Sequence, residues 1–130
     1  MKPARAVTIA AVLLLPAALG AAGGGKGEAR RGEAAYQKCY SCHALEPGGD
    51  KLEGPNLHRI IGRRIAAERG FAYSPALRAL AARRSRWSEG LLDRFIAEPE
   101  AVAPRTSMNF HGIEDARERA DLIAYLRRHR

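Results

Sequence analysis

Cys39 and Cys42, the only cysteines in a chain of 130 residues, stand three apart, and His43 follows at once in the stretch KCYSCHALEPGG. Such a cluster suits a disulfide, a redox dithiol, a zinc site or a haem held by thioethers. A disulfide uses both sulfurs and leaves His43 without a role. A thioredoxin-like dithiol needs strands around it, and this chain lacks runs of alternating β-branched residues. Structural zinc wants four ligands, and there is no second cysteine pair. Haem attachment uses all three residues: the thiols of Cys39 and Cys42 add to two vinyl groups, and His43 becomes an iron ligand. On a helix, positions three and four apart share a face, so the three side chains point one way.

Haem iron in an electron-transfer protein takes a second axial ligand, commonly methionine or histidine. Once the N-terminal leader described below is set aside, Met108 is the sole methionine, in PRTSMNF. Its Pro-rich, irregular segment is free to wrap over the face opposite His43. His111, three residues on, is the rival ligand. His58 and His129 read as surface histidines.

Helices have to position these residues. From Glu28 to about Cys42, Ala34, Ala35, Tyr36 and Cys39 give the apolar or small positions of a first helix that carries the cysteine cluster at its end. EPGGDKLEGPNLHRIIGRR, with Pro47, Gly48, Gly49, Gly54, Pro55 and Gly62, reads as loop. Ser74 and Pro75 open a short helix, the serine capping and the proline in the first turn. Ser88 caps another, with Glu89 in its first turn and Leu91, Leu92, Phe95 and Ile96 on one face, ending before Pro99. AEPEAVAPRTSMNFHG is a second irregular stretch. The last helix runs from about Glu114 to Arg128, with acids early and bases late, as the helix dipole favours. The expected fold is all-α, about four short helices and long loops around one haem, whose apolar surface thickens an otherwise thin core.

The first 22 residues place Lys2 and Arg5 before an apolar run from Ala6 to Leu19 and then small residues, the order of a secretory signal peptide. A retained anchor is the other reading, but the run falls short of the ~20 residues a spanning helix needs, and Pro16 interrupts it. Residues 23–31 read as a flexible lead-in and 32–130 as one domain. The leader takes two of the 22 Lys and Arg and none of the 14 Asp and Glu, so 20 against 14 leaves a net charge of +6. The bases are interspersed with acids, as in DARERADLIAYLRRHR, and export removes the chain from nucleic acid. An acidic protein partner fits this charge better.

The ordered motifs GEAAYQKCYSCH, GPNLHRIIGRR, GFAYSPAL, WSEGLLDRFIAEP, PRTSMNF and RADLIAYL give the chain its likeness to a known family. From about Gly32 to Leu126 it resembles the class I c-type cytochromes, of the short mitochondrial and bacterial periplasmic kinds. The resemblance implies one haem c on Cys39 and Cys42 and iron ligation by His43 and Met108. It implies that the Pro55 carbonyl accepts the ring N–H of His43. Arg63, Tyr73 and Trp87 match positions that hold the haem propionates, and Thr106 a residue beside them and the ligand loop. Gly32 and Tyr36 match one side, and Leu122 and Tyr125 the other, of a crossing between the first and last helices.

Against the family pattern, Phe95 replaces a tyrosine near the methionine sulfur, Leu77 stands near where a polar residue helps hold a buried water, and Arg105 replaces a glycine just before the ligand methionine. About three extra residues lie between Leu77 and Trp87. Lys38, Lys51 and Arg105 remain of a basic rim, whereas Glu98, Glu100 and Ser107 stand where bases are common. The resemblance implies a monomeric, periplasmic carrier of single electrons that docks transiently to membrane respiratory or photosynthetic complexes or to a periplasmic dehydrogenase. No residue is assigned a catalytic role. A haem enzyme of the peroxidase type, or a redox or gas sensor with a labile sixth ligand, is the alternative.

Overall fold

The computed structural model describes residues 27–50 and 52–130. The expected signal peptide and Lys51 lie outside them. In chain order the helices are α1 (Ala29–Tyr36), α2 (Pro75–Arg83), α3 (Glu89–Ala97), α4 (Pro99–Val102) and α5 (Ala116–Arg128). Among the described residues the only extended pairing is an isolated antiparallel bridge between Arg64 and Arg86. None of these helices is long and apolar enough to cross a membrane.

The fold rests on the crossing of α1 and α5. Gly32 makes it possible, because a Cβ there would fall 2.0 Å from the carbonyl oxygen of Asp121. Tyr36 and Tyr125 close the crossing with ring centroids 5.7 Å apart, and Leu122, 1 % exposed, fills its centre. The carboxylate of Asp121 accepts the Glu28 backbone N–H at 2.5 Å and Arg31 Nε at 2.6 Å. It thus satisfies a free donor at the start of α1, where Glu28 supplies no side-chain cap of its own. Residues 29–31, expected as the end of a flexible lead-in, are therefore the first turn of α1, fixed by α5.

The first helix is shorter than expected. Regular α-helix stops at Tyr36, and residues to His43 continue as tighter turns, with Cys39 N–H on Tyr36 O at 2.8 Å and Cys42 N–H on Cys39 O at 3.1 Å. The Tyr36 hydroxyl donates to the His43 carbonyl and closes this curl. The His43 N–H still reaches the Cys39 carbonyl at 3.0 Å, so one helical turn relates the first thiol to the imidazole.

Local caps define the remaining helices. Ser74 Oγ accepts the Leu77 N–H at 3.2 Å, Ser88 Oγ the Leu91 N–H at 3.1 Å, and Asp115 Oδ1 the Arg117 N–H at 2.7 Å. Asp115 sets the start of α5 at Ala116, two residues later than Glu114. One turn, α4, interrupts the stretch read as irregular, because Pro99 at its first position lacks the N–H that a helix start leaves unbonded anyway. Arg119 ties α5 to α3 through Asp93 at 2.7 Å, and Arg127 pairs with Glu89 through two bonds of 2.7 Å.

Candidate haem-binding site

Opposite the turns that carry the cysteines, the chain leaves an apolar cleft of about 300 Å³. One side presents Cys39, Cys42 and His43 with Gly54 and Pro55. Leu92, Phe95 and Ile96 of α3 and Leu122 and Leu126 of α5 form its depth. Arg63, Tyr73 and Trp87 line another part, and Thr106, Met108 and Phe110 of the loop after α4 complete it. All nine residues expected at the site, Cys39, Cys42, Pro55, Arg63, Tyr73, Trp87, Thr106, His43 and Met108, line this one cleft. His111 is exposed and does not line it.

His43 is 9 % exposed, and its Nδ1 lies 2.7 Å from the Pro55 carbonyl oxygen. Since a carbonyl only accepts, Nδ1 carries the proton and Nε2 keeps its lone pair. Burial lowers the pKa of the imidazole, partly offset by the bond to Pro55, and this favours the neutral form that ligates iron. Gly54 is required beside it, because a Cβ there would stand 2.4 Å from His43 Cε1.

Cys39 and Cys42 are half-buried and not bonded to each other. Burial pushes the Cys39 thiol up to about 11, so it sits at the cleft as a neutral SH. Among the described residues no three His, Cys, Asp or Glu side chains gather as a set of metal ligands. The donor set fits a haem: two thiols on a turn, a neutral imidazole beside the second, apolar walls, and a methionine in the same cleft.

The loops that close the cleft are held by backbone bonds. Gly62 N–H reaches the Trp87 carbonyl at 2.7 Å, and Trp87 N–H the Arg63 carbonyl at 3.0 Å. The Arg63 guanidinium donates to the His58 carbonyl at 3.0 Å and the Asn56 carbonyl at 2.5 Å. The Tyr73 hydroxyl accepts the Glu68 N–H at 3.3 Å, and the Tyr73 ring meets Phe71 edge-on at 4.7 Å. Thr106 Oγ1 accepts the Met108 N–H at 3.3 Å and shapes the loop that carries Met108.

Sequence reasoning missed Phe71, Phe110, Leu57 and the contact role of Gly54. The aromatics stand inside the GFAYSPAL and PRTSMNF motifs, where their apolar character among loop residues was the available signal. His58, expected at the surface, is half-buried, and its Nδ1 has no hydrogen-bond partner among the described residues. His129 is likewise half-buried, edge-on to Tyr125 at 4.7 Å.

Fold and cleft together define an all-α protein built to enclose a haem on a Cys-x-x-Cys-His turn. The family model of cytochrome c matches residues 29–130, and the chain belongs to the cytochrome c family, with its class I fold. It is similar to a cytochrome c homolog of Bradyrhizobium diazoefficiens, 41 % identical over 97 residues, which are 74 % of this chain and 51 % of that protein. It thus spans about half the length of that relative. Cytochrome c of Chlamydomonas reinhardtii is 40 % identical over 102 residues, 78 % of this chain and 88 % of its own length. Cytochrome c2 of Rhodomicrobium vannielii is 32 % identical over 126 residues, 97 % of this chain and 95 % of its own.

Proposed function

We propose that this protein is an exported carrier of single electrons, with one haem attached through Cys39 and Cys42 and held between His43 and Met108. A haem bound there supplies reversible one-electron oxidation and reduction of its iron. The observation that carries the reading is the buried, neutral imidazole of His43, fixed by Pro55 in the same cleft as Met108 and both thiols.

The chain's own residues do the rest. Pro55 aims the imidazole and fixes its tautomer. Leu92, Phe95, Ile96 and Leu126 keep water from the cleft, which favours the less charged, reduced state and a positive potential. Arg63, Tyr73, Trp87 and Thr106, which line the same cleft, would hold the propionates of a bound haem, since buried charge is costly without partners. The turn that bears the thiols meets solvent at Tyr40, which is 58 % exposed, and partners dock there.

Partners are transient redox proteins, membrane complexes or a periplasmic dehydrogenase. Lys38 is already paired with Glu118 at 2.5 Å, and Glu98, Glu100 and Ser107, which by the resemblance stand where bases are common, are exposed. Steering by a continuous basic rim is therefore weak, and contact at Tyr40 matters more. The protein acts as a monomer in the bacterial periplasm. Export rests on the basic, apolar and small-residue order of the first 22 residues.

Arg105 favours one second reading, a haem enzyme or sensor with a labile sixth ligand. Its φ of 63° is a left-handed conformation beside the Met108 loop.

Mass spectrometry of the protein exported from cells with haem-attachment machinery tests the proposal. The expected product has lost its leader, gained one haem and left neither thiol open to alkylation. Free thiols on a folded, exported product would overturn it.

A further inference from the structure

The peptide unit between Pro55 and Asn56 is hydrogen-bonded on both sides. Its carbonyl oxygen accepts the Nδ1–H of His43 at 2.7 Å, and its N–H donates to Glu68 Oε2, also at 2.7 Å. The His43 imidazole, one amide and a carboxylate thus form a continuous chain. Each bond spans twelve residues, so three separate segments meet in it.

The amide in the middle is held in place. The Asn56 carbonyl accepts from Arg63 at 2.5 Å, its side-chain Nδ2 donates to the Glu46 carbonyl at 2.8 Å, and its Oδ1 accepts the His58 N–H at 2.6 Å. Every polar group of Asn56 therefore has a partner. Glu68 is half-buried, and its own N–H donates to the Tyr73 hydroxyl at 3.3 Å. Among the described residues no Lys, Arg or His lies within 4 Å of its carboxylate, so no ion pair competes with the amide for its charge.

A carboxylate that accepts an amide N–H polarises the amide, and bonds in such a chain strengthen one another away from water. The Pro55 oxygen becomes the stronger acceptor, and the Nδ1–H bond is drawn towards it. Nε2 of His43 then becomes the stronger donor to a metal. Burial lowers the pKa of this imidazole, and the Pro55 bond and the Glu68 charge act against it.

We propose that Glu68 is a positioning residue for the candidate iron ligand, acting on His43 through the Pro55–Asn56 amide to hold down the reduction potential of a bound haem. The inference rests on the carrier reading above. A more electron-rich imidazole stabilises ferric over ferrous iron, so Glu68 offsets part of the preference that the apolar cleft gives the reduced state. Pro55 fixes the tautomer, and Glu68 sets how strongly the proton is held.

Glu68→Gln in the haem-loaded protein tests this, because the glutamine oxygen can still accept the Asn56 N–H while the charge is gone. Voltammetry should show the one-electron equilibrium shifted about threefold towards ferrous iron, roughly 30 mV at 59 mV per tenfold. NMR of the ferrous form should show the His43 Nδ1–H and Asn56 N–H resonances both moving upfield. Glu68→Asp keeps the charge on a shorter side chain that does not reach the amide equally well, and it should move both resonances in the same direction. Glu53→Gln neutralises an exposed carboxylate beside Cys42, outside the chain of bonds, and should leave both in place. A potential that moves while the His43 resonance stays fixed would reduce Glu68 to a distant charge and overturn the proposal, as would an unchanged potential. A parent protein that takes up no haem would overturn the carrier reading and this inference with it, whereas fixed resonances in a haem-bearing protein overturn the relay alone.

Discussion

The Pro55 carbonyl oxygen accepts the Nδ1–H of His43 at 2.7 Å across twelve residues of sequence, and Gly54, between them in the chain, lies against the imidazole ring itself. Orientation of the candidate iron ligand thus depends on a loop backbone that no side chain can approach. Gly54→Ala would force a Cβ to within 2.4 Å of the ring. It should destabilise the haem-loaded protein by about 1–3 kcal/mol. Guanidinium unfolding followed by haem absorbance checks this; an unchanged midpoint would show that the loop yields without moving His43.

Arg105 adopts φ 63° at the entrance to the loop that bears Thr106 and Met108. A side chain in this region carries a steric cost that glycine avoids, partly offset by the greater freedom of glycine in the unfolded chain. Arg105→Gly should raise stability by about 0.5–1 kcal/mol. The measurement is the same unfolding titration, and a loss of stability would mean that the arginine side chain makes a contact worth more than the strain.

Asp121 links α5 to the start of α1. Its bond from Arg31 and the Glu28 N–H hold its carboxyl below the usual carboxylate range, against the opposing effect of burial. Because the folded value is depressed, the stabilisation is complete above the unfolded value of about 4 and is lost as pH falls through the lower folded value. Asp121→Asn should lower the unfolding temperature by several degrees at neutral pH, with the gap to the parent protein closing in acid. Thermal scans across the acid range decide it; a gap independent of pH would assign the effect to packing alone.

Cys39→Ala/Cys42→Ala prevents thioether attachment and leaves the apolar residues of the cleft, Leu92, Phe95, Ile96 and Leu126 among them, facing water. The chain should then lose cooperative unfolding and bind a dye that reports exposed apolar surface. A cooperative thermal transition close to that of the haem-loaded protein would contradict this.

What the sequence made legible was what acts locally. Ser74 and Ser88 cap the helices they precede, and each bond spans three residues. His43 and Met108 came from spacing and position, and Arg63, Tyr73, Trp87 and Thr106 from the resemblance; one cleft gathers them. The early end of α1 was hidden, since no breaker follows Tyr36 and the curl depends on its hydroxyl reaching the His43 carbonyl. The single turn α4 was hidden too, since Pro99 can begin a helix as readily as it ends one. The ordered start at Ala29 depends on Asp121, more than ninety residues away.

The central claim is that His43 and Met108 hold the iron of a carrier that binds no substrate. The most direct test is the visible spectrum of the purified, haem-loaded protein in both redox states, carried to the weak far-red band of a methionine-to-ferric-iron bond, with carbon monoxide added to the reduced form. The account predicts that the band is present, that Met108→Ala abolishes it, and that carbon monoxide leaves the reduced spectrum unchanged. A missing band with ready carbon monoxide binding would contradict it and put the labile-ligand enzyme or sensor in its place.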